Sequence, residues 1–186
     1  MRKNLTFILI AILSSLSAVT TYHYAGATLG GEDSFPTIQV YFSPNGGCTE
    51  HIVSCIANAK YTILVQAYSF TSTPIAKALG QAHKRRVHIQ VILDKSQRTA
   101  NYSSATFLSN ANIPVYIDTT HAIAHNKIMV IDDTTVITGS FNFTSAAENK
   151  NAENLLIIQS SPLAKIYTAN FNHHLSHSLP YERLEK

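Results

Sequence analysis

The sequence predicts an α/β fold: a single domain in which a mixed β-sheet is flanked by helices on both faces. From residue 38 to residue 117, apolar segments typical of buried strands alternate with helical segments of about ten residues. Two later strand-like segments are separated only by Asp132-Asp133-Thr134, which indicates a hairpin and therefore a sheet that is not purely parallel. Hydrophobic residues make up 45% of the 186 residues and charged residues 13%, which suits one buried core and excludes a disordered chain.

The strands are predicted from short apolar segments that are rich in β-branched and aromatic residues and are bounded by turn residues. The segment YTILVQAYSF, which begins at Tyr61, is typical of a strand buried on both faces. The predicted strands are residues 38–42, 61–70, 87–93, 113–117, 125–131, 135–138 and 154–159.

The helices are predicted from their end signals and from apolar residues at helical spacing. Thr49 is the expected N-cap of the first helix. Thr73-Pro74 opens the second helix, with proline at the first helical position. The predicted helices are residues 49–60, 73–84, 102–110 and 162–178.

The first residues have the three-part pattern of a secretory signal peptide. Arg2 and Lys3 precede an apolar run at residues 5–13, and Ala25-Gly26-Ala27 is a small-x-small cleavage site. We expect a signal peptide at 1–27, a linker at 28–36 and a single folded domain at 37–180. The protein would then be exported to the periplasm or secreted. The alternative is an uncleaved N-terminal anchor in the inner membrane, although the apolar run is short for a span of about 20 residues.

The net charge restricts the class of substrate only weakly, and the two cysteines leave the question of a disulfide open. The net charge is +3 and the pI is near 8.9, which permits an anionic substrate without requiring one. Cys48 and Cys55 are the two cysteines. A disulfide between them stays open, but seven residues along one helix separate two Cα atoms by roughly 10 Å, so two free thiols are favoured.

Polar residues stand at the ends of the two hairpin strands. Because side chains alternate between the faces of a strand, His125 and Lys127 project to one side, and so do Ser140 and Asn142. Pairing of the strands would gather these four residues at one end of one face. Asp132 lies at the opposite end, where we expect it to cap the turn and hold the hairpin.

A cluster of these residue types suits a tetrahedral anion such as a phosphate. Lys127 is a cation, while Ser140 and Asn142 donate neutral hydrogen bonds. His125 is the only group of the four that can act as nucleophile, base or acid near neutral pH. No metal-ligand set surrounds His125 in the sequence, so we expect chemistry without a metal or other cofactor.

The same residues form a family signature. His125-Asn126-Lys127, four residues, Asp132 and then Gly139-Ser140-Phe141-Asn142 match H-x-K-x4-D followed by G-S-x-N. The chain thereby resembles the phospholipase D superfamily, and over residues 42–158 it is similar to the small bacterial endonuclease branch, which carries one motif per chain. The resemblance implies a phospholipase D-like fold.

The resemblance also implies a mechanism. One histidine attacks phosphorus to form a phosphohistidine, and a second protonates the leaving oxygen. Since this chain has one motif, the implied enzyme is a homodimer in which each subunit contributes His125. A glutamate downstream of G-S-x-N orients the histidine; Glu153 fits that spacing, and Glu148 is the rival.

Weaker candidates for substrate binding are basic residues near helix and strand ends. Lys84, Arg85 and Arg86 can contact a nucleic-acid backbone, or can equally interact with the dipole of their own helix. Arg98 follows a strand at its carboxyl end, where ligands of α/β proteins often bind.

Other histidines and aromatic residues have simpler interpretations. His173 and His177 are four residues apart on a predicted helix, where an exposed or packed helix is favoured over metal binding. His121 can line the pocket without a catalytic role. Tyr68 and Phe70 are expected in the core.

Three functions remain compatible with the sequence. The first is a phosphodiesterase that cleaves DNA, or alternatively RNA, without sequence preference. The second is a phospholipase D that acts on phospholipid headgroups, with a membrane partner only if the N-terminal segment is uncleaved. The third is a catalytically silent nucleic-acid-binding module, which the intact motif disfavours.

Overall fold

The computed structural model describes residues 36–99 and 103–182. The predicted signal peptide or anchor at 1–27, and all of the linker except its last residue, lie outside the described residues. The strands are β1 Thr37–Ser43, β2 Thr62–Ala67, β3 His88–Asp94, β4 Val115–Asp118, β5 Lys127–Ile131, β6 Thr135–Gly139, β7 Glu153–Gln159 and β8 Leu179–Pro180. The α-helices are α1 Cys48–Asn58, α2 Thr73–Lys84, α3 Ala105–Asn110, α4 Ser145–Asn149 and α5 Ser161–Leu175, and a 3-10 turn spans Lys95–Arg98.

The strands form one mixed sheet in the order β1-β7-β6-β5-β2-β3-β4-β8. β2, β3 and β4 are parallel, while the other neighbouring pairs are antiparallel. The predicted mixed sheet is therefore confirmed, and so is the hairpin, in which β5 and β6 pair directly.

Helices cover both faces of the sheet, as predicted. On one face α1, α2 and α3 bury a large core that includes Ile52, Leu79 and Met129. On the other face α5 buries a smaller core, in which Phe171 packs with Val130 and Val136. Alternate residues of β5 thus contribute to opposite cores, which is why the strand is apolar throughout.

The topology brings the ends of several strands together along one side of the sheet, at right angles to the edge strands. The parallel strands β2, β3 and β4 end there at Ala67, Asp94 and Asp118. β5 runs antiparallel to β2 and starts at the same edge, where Lys127 pairs with Ala67. β6 ends there with Gly139. We call this edge, defined by these five residues, the site edge.

Some element boundaries differ from the prediction. Thr49 is not the N-cap of α1, because the helix begins at Cys48 after Gly47, whose φ of 67° is left-handed. Instead, the backbone N–H of Thr49 donates to Glu148 at 2.6 Å. The strand predicted from residue 125 starts at Lys127, so His125 lies in the segment before it. The short elements α4 and β8 were not predicted.

Two further expectations concern cysteines and membranes. Cys48 and Cys55 lie on the same helix as free thiols, as favoured, and burial raises the pKa of both. Across residues 36–99 and 103–182, no helix has both the length and the apolar character that a bilayer span requires.

Candidate active site

His125 and Lys127 meet at the site edge. The Lys127 ammonium lies 3.0 Å from Nδ1 of His125 and donates to the His125 carbonyl oxygen at 2.8 Å. Lys127 is only 7% exposed, whereas His125 is exposed. An open imidazole is thus held against a buried cation, which is an arrangement suited to a reaction on an anion.

Tyr68 completes this group, although the sequence suggested a core position. Its ring packs against the His125 ring at 4.5 Å between centroids, and Lys127 Nζ lies 5.1 Å from the centroid of the Tyr68 ring. Tyr68 follows β2, and its N–H donates to the Asn126 carbonyl oxygen at 2.8 Å, which places it beside the motif. The pairing of β2 with β5 is the signal that would have revealed this contact. Phe70 is fully buried, as expected.

The charge of Lys127 is shaped by its surroundings. Burial lowers the pKa of Lys127 below its ordinary value of 10.5, and the negative charge of Glu153 partly opposes that shift. An ammonium with little water around it binds an entering anion more strongly than a solvated one does.

The segment Gly139-Ser140-Phe141-Asn142-Phe143 presents two polar side chains together. Phe141 and Phe143 are fully buried, so Ser140 and Asn142, which alternate with them, are held at the edge. Gly139 has a φ of 143° and a Cβ there would collide with the carbonyl oxygen of Asn154, which explains the glycine.

The polar atoms of this segment have capacity left for a ligand. The Ser140 hydroxyl accepts from the Asn154 backbone N–H at 3.0 Å and from its Nδ2 at 3.3 Å, so its own proton is free to be donated. Oδ1 of Asn142 is buried and has no hydrogen-bond partner among the described residues. Buried polar atoms of this kind are usually satisfied, so this oxygen is open to a hydrogen-bond donor.

The two candidate glutamates have different surroundings. Glu148 accepts the hydrogen bond from Thr49 and so stabilises the N-terminus of α1. Glu153 opens β7 at the site edge, accepts from Nδ2 of Asn151 at 3.0 Å and acts electrostatically on Lys127. Of the two, only Glu153 is positioned to interact with the motif. It does not bond to His125, whose Nδ1 faces Lys127 instead.

Asp132 lies at the turn between β5 and β6, at the edge of the sheet opposite the site edge. Its carboxylate accepts the backbone N–H groups of Lys60, Tyr61 and Thr62 at 2.7–2.9 Å. Burial would raise the pKa of Asp132, but these hydrogen bonds outweigh it and hold the pKa below its usual value. Asp132 therefore ties the hairpin to the segment between α1 and β2.

The weaker substrate-binding candidates separate by location. Arg98 ends the 3-10 turn that directly follows β3, so it lies at the site edge. Lys84 ends α2, and Arg85 follows it, at the edge opposite the site edge. Arg85 donates to the carbonyl oxygens of Ile56 at 3.0 Å and Ala59 at 3.3 Å, which close the end of α1. This placement disagrees with substrate contact by Lys84 and Arg85 at the His125 site.

Three histidines outside the motif converge on Asp118, which sequence reasoning missed. The Nδ1 atoms of His121 and His174 lie 2.9 and 3.0 Å from Oδ2 of Asp118, and Nε2 of His177 lies 3.5 Å from it. His173 is exposed on α5, as favoured, whereas His177 lies beyond the end of α5 and faces Asp118 together with His174. His125 is not part of this group, whose four ligand atoms lie within 4.8 Å of one another.

The charge of Asp118 is strongly stabilised in this cluster. Burial alone would raise the pKa of Asp118. Hydrogen bonds from the rings of His174 and His121 and from the backbone N–H groups of His121 and Thr120 outweigh burial, and hold the pKa well below its usual range.

A cavity of about 250 Å³ lies between α2 and α3. Its lining includes Thr71, Lys77 and Phe107 but none of the motif residues. This cavity is therefore distinct from the candidate site.

Comparison with known proteins decides the family. The family described as "Cardiolipin synthase, PLD-like domain" matches residues 52–175 of the chain. The chain belongs to the phospholipase D superfamily. As a member of the phospholipase D superfamily it is a phosphodiesterase, a hydrolase.

Individual members of the phospholipase D superfamily cover most of the chain. The phospholipase D of Rickettsia conorii is 40% identical over 157 residues, which are 84% of this chain and 76% of that protein. The mitochondrial cardiolipin hydrolase of Xenopus laevis is 33% identical over 116 residues, 62% of this chain and 55% of that protein. Nuc, a phospholipase D family member from Salmonella typhimurium, superposes with a TM-score of 0.76 at 37% identity, over 79% of this chain and 99% of that chain. The predicted family and phospholipase D-like fold are confirmed.

Proposed function

We propose that this phosphodiesterase is a non-specific endonuclease that hydrolyses DNA, with RNA as an alternative substrate, without a metal in the reaction and through a phosphohistidine at a homodimer interface. The observation that supports it best is the exposed imidazole of His125 held 3.0 Å from the buried ammonium of Lys127. Ser140, which directly follows β6 at the site edge, adds a hydroxyl proton that is free to be donated to a phosphate oxygen.

The first step forms a bond from Nε2 of His125 to phosphorus while the bond from phosphorus to the leaving oxygen breaks. The leaving oxygen takes a proton from the His125 of the second subunit. That histidine then removes a proton from water, which attacks phosphorus and releases the first His125. No electrons leave or enter, and the net reaction is hydrolysis of one phosphodiester.

Attack through Nε2 requires the ring proton on Nδ1, where Lys127 now lies. In this proposal the Lys127 ammonium turns to the phosphate oxygens when substrate binds. Nδ1 can then donate to a carboxylate that steadies the developing charge, and Glu153 is the candidate. Two observations support this role: Glu153 is the first residue of β7 at the site edge, and its negative charge opposes the lowering of the pKa of Lys127.

An exposed apolar strip supports the homodimer. Alternate residues of the edge strand β1, Ile38, Val40 and Phe42, are 52%, 48% and 64% exposed. In a monomer, such a strip on an edge strand invites association. The strip ends at the site, because Phe42 pairs with Asn154 and the next residue, Ser43, pairs with Glu153. A second copy seated on this strip would approach the first site closely.

Phospholipid is the second candidate substrate, because the named relatives point to it. The Rickettsia conorii relative carries the name phospholipase D, and the Xenopus laevis relative is named a cardiolipin hydrolase. Nucleic acid is favoured for this chain by its basic balance of +3 and by Arg98 at the site edge. A silent nucleic-acid-binding module is disfavoured, since His125 and Lys127 are both present and in contact.

The decisive experiment offers purified protein supercoiled plasmid, labelled phosphatidylcholine vesicles and cardiolipin vesicles, each with excess EDTA. Nicking that persists under chelation, with intact lipids, is the expected result. Headgroup release or cardiolipin cleavage with intact plasmid would replace the endonuclease by a phospholipase. DNA retention on a gel without turnover of any substrate would favour the silent module.

The dimer is tested by placing a charge in the apolar strip. Val40→Asp should produce a monomer by light scattering and lose nicking, because each site then lacks its second histidine. Tyr61→Asp is the matched control, since Tyr61 is 71% exposed beside the opposite edge of the sheet. A Val40→Asp monomer that nicks at the wild-type rate would exclude catalysis at a dimer interface.

We also propose that the protein is exported. The pattern at 1–27 supports a cleaved signal, and an uncleaved anchor is the alternative. N-terminal sequencing of protein recovered from the producing cells distinguishes them: a start near residue 28 indicates cleavage, and a start at Met1 indicates the anchor.

A further inference from the structure

The carboxyl end of β4 faces the C-terminal part of α5 across a cluster of four side chains. Asp118 is the last residue of β4, His121 lies in the following loop, and His174 and His177 lie at the end of α5 and just beyond it. One carboxylate oxygen and three ring nitrogens all lie within 4.8 Å of one another. We call these four residues the histidine cluster.

Hydrogen bonding alone does not satisfy the histidine cluster. Oδ1 of Asp118 already accepts the backbone N–H groups of Thr120 and His121 at 3.1 and 3.2 Å. The rings of His121 and His174 both approach the remaining oxygen, Oδ2. Nε2 of His177 also faces Oδ2, but at 3.5 Å it makes no hydrogen bond, and it is a buried ring nitrogen with no partner among the described residues. Three imidazoles that converge on one oxygen, one of them unpaired, need a further explanation.

Three spacings in the histidine cluster are close to the edge length of a metal-coordination tetrahedron. With metal–ligand bonds of about 2.0–2.1 Å, neighbouring ligand atoms of a tetrahedral zinc site are about 3.3 Å apart. The three nitrogens of the cluster are 2.9, 3.0 and 3.5 Å from Oδ2. The two backbone hydrogen bonds to Oδ1 fix the carboxylate so that Oδ2 points to the rings, as outer-shell donors do for metal-bound carboxylates.

We propose that Asp118, His121, His174 and His177 bind one divalent transition-metal ion, with zinc as the best match. Imidazole ligands select zinc and its neighbours in the transition series, and one carboxylate is too few oxygen ligands for calcium or magnesium. Because four protein groups fill the coordination sphere, the site is structural and leaves no position for substrate. None of the four ligands belongs to the motif around His125.

The ion would join the end of α5 to the loop between β4 and β5. That loop leads directly into His125, and its residue Ala124 is already held by a hydrogen bond of 2.7 Å to Asp94. Binding of the metal to the folded state alone would stabilise the domain and fix the approach to the site edge. This role is compatible with a reaction that proceeds without a metal.

The test uses untagged protein, since a polyhistidine tag would bind the same ions. Wild type purified with zinc present should contain about one zinc per chain, and the thermal midpoint of the chelator-stripped protein should rise by several degrees when zinc is returned. His174→Gln combined with His177→Gln should lose both the zinc and the shift. His173→Gln is the matched control, because His173 is exposed on the same helix and lies outside the cluster, and it should behave as wild type.

Cobalt provides a readout that does not depend on the double variant folding. Wild type and His173→Gln loaded with Co²⁺ should show the intense visible absorption of tetrahedral coordination, and His121→Gln, at a half-exposed position, should weaken it. Wild type that takes up neither zinc nor cobalt stoichiometrically would overturn the proposal. So would uptake that the His174→Gln, His177→Gln variant leaves intact, and either result would assign the cluster to hydrogen bonding around Asp118.

Discussion

Two histidines of the loop between β4 and β5, His121 and His125, have partners of opposite charge. His125, at the end of that loop, is exposed and lies beside the cation Lys127. His121, four residues earlier, turns its Nδ1 to the buried carboxylate of Asp118. A cation offers a ring nitrogen only a donor, so Lys127 can leave Nδ1 when substrate binds, and Nε2 can react once the ring proton is on Nδ1. A carboxylate immobilises the ring, so the partner rather than the residue type decides whether a histidine reacts or holds the fold.

The largest expected effect is on turnover and comes from removing the reactive histidine, His125. His125→Ala should lower turnover by at least about 10³-fold, since it removes the nucleophile. Its thermal midpoint should stay near that of wild type, because the exposed ring is not part of the core. His174→Ala should show the reverse pattern, a lower midpoint with turnover far above that of His125→Ala. Turnover at the wild-type rate by a folded His125→Ala dimer would refute the assignment.

The next effect concerns the cation that distinguishes the reactive histidine. Lys127→Gln should lower kcat by about 10²–10³-fold, the usual loss for one charge-stabilising donor. In wild type, kcat/KM should fall as pH rises through the lowered pKa of Lys127, so the alkaline limb should begin below the ordinary value of 10.5. A profile that stays flat through that range, with the fold intact by circular dichroism, would show that the Lys127 charge is not required.

A smaller effect, on stability, is expected at Asp132, the residue of the family motif that stabilises the turn. Asp132→Asn should cost about 1–3 kcal/mol of stability at neutral pH, because three backbone donors lose a charged acceptor. Asparagine tolerates the left-handed φ of 51° at this position, so the change isolates the charge. Turnover per folded chain should be preserved.

The pH dependence of this Asp132→Asn difference has a definite sign. A carboxyl whose folded pKa is depressed contributes stability above its ordinary value of 3.8 and loses it as pH falls through the folded value. Urea titrations should therefore show the gap between wild type and variant closing below about pH 4. A gap independent of pH would mean that shape rather than charge holds the turn.

Much of the fold was predictable because the signals are local. Alternation of apolar segments located strands β1 to β7, and the short turn before Thr135 predicted the hairpin. The residues His125 and Lys127 could be grouped from their spacing alone, and the structure brings them together even though His125 precedes the strand. Spacing within one segment survives such a shift in the boundary.

The missed features depend on contacts between segments far apart in the chain. Tyr68 joins the site only because β2 lies beside β5, a neighbour relation that no local pattern specifies. Likewise Asp118 and His174 are separated by 56 residues, so no local spacing predicts that they meet. Local periodicity gives the face of a helix but not which neighbour that face meets.

The smallest expected effects come from Lys84 and Arg85. These neighbours show a similar contrast, because Lys84 is exposed and Arg85 donates hydrogen bonds to the end of α1. Both lie at the edge opposite the site edge, so Lys84→Ala and Arg85→Ala should leave turnover and the salt dependence of plasmid binding unchanged. Arg85→Ala should cost about 1 kcal/mol, since its guanidinium closes the carbonyl end of α1, whereas the exposed Lys84 should cost almost nothing. If the pair instead lowered plasmid affinity and the salt slope together, DNA would reach across the sheet to that edge. The basic cluster that sequence alone could not assign would then contact the substrate. Arg85 would both stabilise the end of α1 and bind DNA.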